Sequence, residues 1–160
     1  MPIDPEPYLK LDPFTFDQDV EAGWRAVEQM HGAEVATRLI ELYLREQENK
    51  EHSVRDTNLL EIIHFHLGQV LASRGEEYYP QSITALEKAF HEGSTDWNSY
   101  VDGTIAFLSQ DKARLERAIS DLRAVENRKG TGSTNLRFLE KYLESLNFGK
   151  GDYGDAYSSD

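Results

Sequence analysis

The chain has 160 residues, no cysteine, and 29 acidic against 17 basic side chains, which give a formal net charge of −12. The length fits one domain, and the absence of cysteine excludes disulfides, thiol nucleophiles and thiolate metal sites. A surface this negative repels the phosphates of nucleic acids and attracts basic proteins. Acidity also serves solubility, so the charge alone does not decide between a protein that binds a basic partner and one that is merely soluble.

The N-terminal residues have neither the basic segment nor the apolar core of a signal peptide. No apolar run approaches the roughly 20 residues that a membrane-spanning helix requires. We therefore expect a cytoplasmic protein that contacts neither membrane nor nucleic acid.

The beginning of the chain is rich in proline, which fixes its own backbone and pushes the preceding residue toward extended conformations. The four prolines are Pro2, Pro5, Pro7 and Pro13. We therefore predict an extended N-terminal arm over residues 1–16.

Apolar side chains then recur at the spacing of amphipathic helices as far as about residue 146. Asp17 and Asp111 are favourable N-cap residues, and Gly32, Gly75 and Gly93 should each end a helix. The pattern predicts about seven helices, over approximately 17–31, 33–49, 59–74, 80–92, 96–108, 112–126 and 135–146. Residues 148–160 contain three glycines and two tyrosines, and we predict a loosely ordered tail there.

The predicted fold class is all-α, in one domain over residues 1–160, because no segment shows the alternation of a strand. Short links favour antiparallel neighbours, so we expect helical hairpins stacked on one another. Leu67-Gly68 and the later Leu86, Ala89 and Phe90 resemble a tetratricopeptide repeat. A tetratricopeptide-like stack and an irregular α bundle both stay open.

A search for chemistry finds no complete constellation. Glu28-x-x-His31 and Glu61-x-x-His64 have the spacing seen in di-iron helical proteins, but such pairs also arise by chance in an acidic chain. Ser109-x-x-Lys112 falls at a predicted turn and lacks the other motifs of that enzyme class. We therefore expect no catalytic residue, no metal and no cofactor, and predict that the protein is not an enzyme.

Three segments are candidate partner-binding surfaces. In the first, two acids lie beside tyrosines between the third and fourth helices; the second is the polar side of the fifth helix; the third is the acidic, aromatic tail. Each surface has an alternative interpretation that stays open: the tyrosines of the first pack the turn, the second is a merely solvated face, and the tail has no binding role. The candidate residues are Glu76, Glu77, Tyr78, Asn98, Asp102, Asp152, Tyr153 and Asp155.

Two segments in the last third of the chain carry a resemblance to a known family. They are Tyr100-Val101-Asp102-Gly103-Thr104-Ile105-Ala106-Phe107-Leu108, followed by Asp111 and Leu115, and the ending Tyr153-Gly154-Asp155-Ala156-Tyr157. Together they resemble small helical immunity proteins encoded beside bacterial contact-dependent inhibition and other polymorphic toxins. The resemblance implies one-to-one binding of a cognate toxin domain, often a basic nuclease, whose active site is blocked. The alternative is a tetratricopeptide-like adaptor or chaperone that binds a peptide segment.

Overall fold

The computed structural model describes residues 3–50, 57–130, 133–149 and 151–158, and this part of the chain is all-helical, without a strand. One 3₁₀ turn, Glu76–Tyr78, lies between the fifth and sixth helices. The ten α-helices of these residues are α1 (Glu6–Leu9), α2 (Pro13–Gln18), α3 (Trp24–His31), α4 (Ala33–Glu48), α5 (Thr57–Ala72), α6 (Tyr79–Glu87), α7 (Thr95–Leu108), α8 (Lys112–Lys129), α9 (Thr134–Asn147) and α10 (Tyr153–Ser158).

The all-α class is confirmed, while the described part of the chain has ten helices rather than about seven. Helices α4 to α9 lie where the apolar period predicts them. The cap at Asp111 is also observed, since its carboxylate accepts a hydrogen bond of 2.9 Å from the Arg114 amide. No helix of the described residues is both long and apolar enough to cross a bilayer.

The prediction of an extended arm over residues 1–16 is wrong for the described residues 3–16, which form α1 and begin α2. Pro7 and Pro13 lie in the first turns of these helices, where a missing amide hydrogen costs nothing. Asp12 caps α2 by accepting a 3.0 Å hydrogen bond from the Thr15 amide. The prolines therefore begin short helices here.

The prediction of a loosely ordered tail over residues 148–160 is also wrong where the tail is described. Residues Tyr153–Ser158 form α10, and the Tyr153 ring is only 2% exposed. It lies against Phe107 and Tyr142, with ring centroids 6.3 and 5.6 Å away. Burying one aromatic ring offsets much of the ordering cost of a short segment. Residues 150, 159 and 160 lie outside the described part.

Helix α7 is the centre of the C-terminal half and packs against α6, α8 and α9. Its residues from Ser99 to Leu108 are buried, with the single exception of Asp102. The segment that carries the family resemblance is therefore mostly core, and its sequence reflects packing on nearly every side.

Two glycines fix how closely the helices approach one another. A Cβ on Gly68 of α5 would lie 2.6 Å from Leu86 Cγ of α6, and one on Gly103 of α7 would lie 2.6 Å from Leu139 of α9. Both distances are far shorter than a normal contact, so only glycine allows these approaches. Gly68 thereby sets the position of α6 relative to α5.

A fully buried carboxylate joins α2 and α3 to α5. Asp17 was expected to cap the first helix, but it lies inside α2 and is 0% exposed. Its Oδ1 accepts a hydrogen bond of 2.9 Å from Trp24 Nε1 and lies 2.7 Å from His66 Nδ1. Arg25 Nε donates to the Asp17 carbonyl at 3.0 Å. The buried charge on α2 is therefore held by groups from α3 and α5.

Burial by itself would raise the pKa of the Asp17 carboxyl, but the hydrogen bond and charge of His66, with Trp24 and Arg25, lower the pKa below its usual value. A lowered pKa in the folded state stabilises the fold at pH values above the unfolded pKa of about 3.9. That stabilisation is lost as the pH falls through the folded value.

We predict that Asp17→Asn lowers the free energy of unfolding by about 2–4 kcal/mol at pH 6, because the buried donors lose a charged acceptor. The cost should shrink as the pH falls from about 4 through the lowered pKa of the folded state, because the carboxyl of the unfolded chain takes up its proton first. Urea unfolding between pH 2.5 and 6 measures both effects. Exposed Glu92→Gln is the control, with a change within about 0.5 kcal/mol throughout. A pH-independent cost for Asp17→Asn would contradict this explanation.

Candidate functional site

The connection between α5 and α6 presents two carboxylates to solvent. Gly75 adopts a φ of +124°, a conformation that other residues rarely adopt, and so turns the chain into the 3₁₀ turn. Glu76 and Glu77 are exposed on this turn, while Tyr78 is half-buried. The Arg74 guanidinium lies over the Tyr78 ring, 3.9 Å from its centroid. The acids predicted here are therefore accessible, and Tyr78 is partly used for packing.

The next residue, Tyr79, fastens the C-terminal tail to this connection. Its hydroxyl donates a hydrogen bond of 3.0 Å to the Gly151 carbonyl and accepts one of 2.8 Å from the Tyr153 amide. The second bond spans 74 residues of sequence. The Tyr79 ring is itself 6% exposed. One hydroxyl therefore satisfies two main-chain groups of the tail and holds its start against the α5–α6 connection.

This contact brings together two of the three predicted binding segments. Glu76 and Glu77 belong to the turn that leads into Tyr79, and Asp152 lies between Gly151 and Tyr153, the two residues that the Tyr79 hydroxyl contacts. Burial raises the pKa of Tyr79, the hydrogen bond from the Tyr153 amide lowers it, and the charges of Asp152 and Glu76 raise it further. Asp152 also caps α10, since its Oδ1 accepts a 2.9 Å hydrogen bond from the Asp155 amide. We call Glu76, Glu77, Asp152 and Asp155 the acidic patch.

The acidic patch keeps most of its charge available. Among the described residues, no lysine, arginine or histidine forms an ion pair with Glu76, Glu77 or Asp152. Many other acids of the chain are already paired, as Asp96 is with Lys129 at 2.5 Å. Carboxylates without a paired cation create a negative potential that favours the approach of a basic partner.

Tyr153, predicted as a partner-binding residue, is not accessible in this structure. Its ring is buried between Phe107 and Tyr142, and burial raises the pKa of its hydroxyl above the usual value. It therefore acts as the anchor that positions Asp152 and Asp155. A partner that contacts the tail in this conformation meets the two aspartates and leaves the tyrosine in the core.

The remaining candidate surface, the polar side of the fifth predicted helix, lies on α7, and both of its candidate residues are engaged within the protein. Asn98 Oδ1 accepts a 2.8 Å hydrogen bond from the His91 amide, and Asn98 Nδ2 donates one of 2.9 Å to the His91 carbonyl. Asp102 Oδ1 accepts hydrogen bonds from Arg114 at 3.0 Å and 2.6 Å. Asn98 therefore holds the α6–α7 connection in place, and Asp102 links α7 to α8.

Asn98 and Asp102 nevertheless border a groove of about 360 Å³ between the α6–α7 connection, α7 and α8. We call it the α7–α8 groove. Phe90, 37% exposed, and the exposed Asp121 are among its lining residues. The rest of its lining is small or polar: Gly93, Ser94, Thr95, Ser99 and Ala118.

The pairs considered for metal binding are used differently. Glu61 Oε2 lies 2.6 Å from His91 Nδ1, so its close partner is a histidine of the α6–α7 connection. Burial, and then the charge of Lys88, lower the pKa of His64 to about 4, which keeps its ring neutral at pH 7. Within the described residues, no group of three or more histidine and carboxylate side chains is arranged to hold a metal ion.

Sequence reasoning named the surface acids but missed two residues on which the geometry depends. Tyr79 was grouped with Tyr78, and nothing local indicates that its hydroxyl meets a main chain more than 70 residues away. The helical period of α8 places Asp121 on one face of that helix, but only the position of α7 beside this face shows that Asp121 lines a groove. The one local signal for Tyr79 is its position directly before Pro80, in the first turn of α6.

Comparisons with family models, curated proteins and solved structures give no match to this chain. The resemblance to immunity proteins therefore rests on the sequence segments described above, and the function must be argued from the surfaces of the molecule.

We predict that Tyr79→Phe loosens the tail, because it removes both hydrogen bonds of the hydroxyl and leaves the buried Tyr153 amide without its acceptor. The expected cost is about 1–3 kcal/mol, so exchange of the Tyr153 amide hydrogen should accelerate by about fivefold to a hundredfold. Amide exchange followed by NMR measures this locally, with α7 amides as the internal reference. Tyr157→Phe, at a ring that is 40% exposed, is the matched control. Equal Tyr153 exchange in both variants would contradict the role given to the hydroxyl.

Proposed function

We propose that this protein is an immunity protein, which acts in the cytoplasm by binding a basic toxin domain one to one and blocking its active site. The observation that carries the proposal is that the Tyr79 hydroxyl joins the α5–α6 connection, with Glu76 and Glu77, to the start of the tail, with Asp152. Among the described residues, no lysine, arginine or histidine forms an ion pair with these three carboxylates. The family resemblance and the net charge of −12 support the same reading.

A nuclease domain binds the phosphate backbone through lysine and arginine, so its active-site face is positive. A rigid set of carboxylates matches that face, speeds the encounter and competes with the nucleic acid. Rigidity matters here because carboxylates that are already positioned lose little entropy on binding. The anchoring of Tyr153 and the Tyr79 hydrogen bonds provide it.

We also propose that the consecutive helices run antiparallel as stacked hairpins. Helices α5 and α6 pack together, as do α7 and α8, and only residues 109–111 connect the latter pair. A three-residue connection between two packed helices favours an antiparallel pair. Such a stack presents connections such as Glu76–Tyr78 at its edges, where a partner reaches them.

The proposed activity needs no catalysis and no cofactor. Many acids of the chain have structural tasks: Asp12 and Asp111 cap helices, Asp17 joins three helices, and Glu140 pairs with Arg123 at 2.6 Å. These contacts explain the acids individually, without any reaction.

A specific observation also favours the alternative of an adaptor that binds a peptide segment. The α7–α8 groove is open to solvent, has small residues along its lining and includes an exposed aromatic ring. A groove of that kind accepts extended chains. The two proposals differ in the partner, which is a folded toxin domain for one and a short unfolded segment for the other.

The direct experiment uses the product of the reading frame immediately upstream of this gene. Under our proposal, that product is a basic toxin, its expression arrests growth, and co-expression of this protein restores growth. Size-exclusion chromatography with light scattering should find a one-to-one complex. An upstream product that is neither toxic nor bound would overturn the immunity role.

We predict that the triple variant Glu76→Gln, Glu77→Gln, Asp152→Asn binds this toxin with an association rate about tenfold lower at low salt. The dissociation rate should change much less, because the substitutions remove long-range electrostatic attraction and keep side chains of nearly the same size at the interface. Asp152→Asn keeps an oxygen that can cap α10. Stopped-flow kinetics at several salt concentrations measure the rates.

The matched control removes the same number of charges elsewhere, through Glu21→Gln, Glu46→Gln and Glu144→Gln, three exposed positions outside the acidic patch. It should slow association no more than about twofold. Equal slowing by both triple variants would mean that net charge, and not the acidic patch, guides the encounter.

A further inference from the structure

The two acids of the α7–α8 groove differ in how they are used. Asp102 is occupied, because Arg114 donates two hydrogen bonds to its Oδ1. Asp121 is exposed on α8 and, among the described residues, forms neither an ion pair nor a side-chain hydrogen bond. Asp121 therefore contributes an accessible charge to a groove whose other carboxylate is already neutralised.

Phe90 provides an apolar face at the edge of the same groove. Its ring is 37% exposed, although neighbouring Ala89 is fully buried and accepts a 2.7 Å hydrogen bond from Trp97 Nε1 through its carbonyl. That bond and the Asn98 bonds to His91 fix the backbone on both sides of Phe90. The ring is thus exposed on a rigid segment that lines the same groove as Asp121.

Hydroxyl oxygens complete the lining. Ser94, Thr95 and Ser99 line the groove, and Ser99 already donates its hydroxyl hydrogen to the Thr95 carbonyl at 2.8 Å. The Ser99 oxygen therefore retains lone pairs that accept hydrogen bonds. Gly93 and Ala118 leave room for an inserted side chain.

We propose that the α7–α8 groove receives an arginine side chain of a basic protein partner, whose guanidinium stacks on Phe90 and pairs with Asp121. A planar guanidinium with five donors matches a carboxylate, nearby hydroxyl oxygens and an aromatic face. The ammonium group of lysine is compact and strongly hydrated, and uses fewer of these features. This inference rests on the proposed function, since it assigns part of the basic partner to a second surface of the molecule.

The test uses the full chain and two defined probes, so that it does not depend on the identity of the toxin. The first is a blocked 12-residue peptide in which arginine alternates with glycine, and the second has lysine in place of arginine. Both are titrated while NMR follows the amides of Gly93–Thr95 and Ala118–Leu122 and the Trp97 indole. The arginine peptide should shift these signals saturably and bind at least about threefold more tightly than the lysine peptide.

Two variants test the assigned residues. Asp121→Asn should weaken the arginine peptide roughly fivefold, and Phe90→Leu should remove most of its preference over the lysine peptide. Glu116→Gln makes a matched change at an exposed position of the same helix, outside the groove, and should alter binding less than about twofold.

Each outcome separates this inference from the proposed function. Saturable shifts confined to residues 75–79 and 151–155 would overturn the arginine groove and leave the acidic patch as the basic-peptide surface. No saturable shift at the groove, or equal binding by Asp121→Asn and the unmodified protein, also overturns it. The immunity proposal is judged separately, by the complex with the upstream product.

Discussion

The surface that we assign to the partner depends on the hydroxyl of Tyr79. It donates to the Gly151 carbonyl and accepts from the Tyr153 amide, and so holds the start of the tail against the α5–α6 connection. Tyr153 inserts its ring into the core, and Asp152 lies between the two tail residues that the Tyr79 hydroxyl contacts. Since Gly68 sets how closely α6 approaches α5, the position of Tyr79 follows from helix packing. The packing of the core therefore determines where the acidic patch lies.

Acidity has three separate uses in this molecule. Some carboxylates cap helices, as Asp12 and Asp111 do, and others form ion pairs that join helices, as Asp102 does with Arg114. Asp17 is buried and gains its stability from neighbouring donors. The net charge of −12 by itself distinguishes none of these uses. The acidic patch and Asp121 are the places where we propose that a basic partner binds.

How much of this could be predicted follows from the range of the interactions. Helices α4 to α9 are visible in the sequence because their apolar spacing is local. Local sequence also predicts Asp17 as an N-cap, because aspartate is favoured at that position. Its actual partner, His66, is 49 residues away, and the carboxylate is buried inside the fold. The tail looks disordered because its glycines are local, while the Tyr79 contacts that order it are distant. The sequence predicts Glu76, Glu77, Asp152 and Asp155 as candidate binding residues in two separate segments. Only the fold shows that these two segments are joined through Tyr79.

We propose that one partner contacts the α5–α6 connection and the tail together. Hydrogen–deuterium exchange of this protein, alone and bound to the product of the upstream reading frame, measures where that partner binds. We expect the exchange slowed by binding to be concentrated in residues 74–80 and 151–158, two segments that are distant in sequence and joined through Tyr79. Protection of α1 to α3, with no change in these two segments, would contradict it.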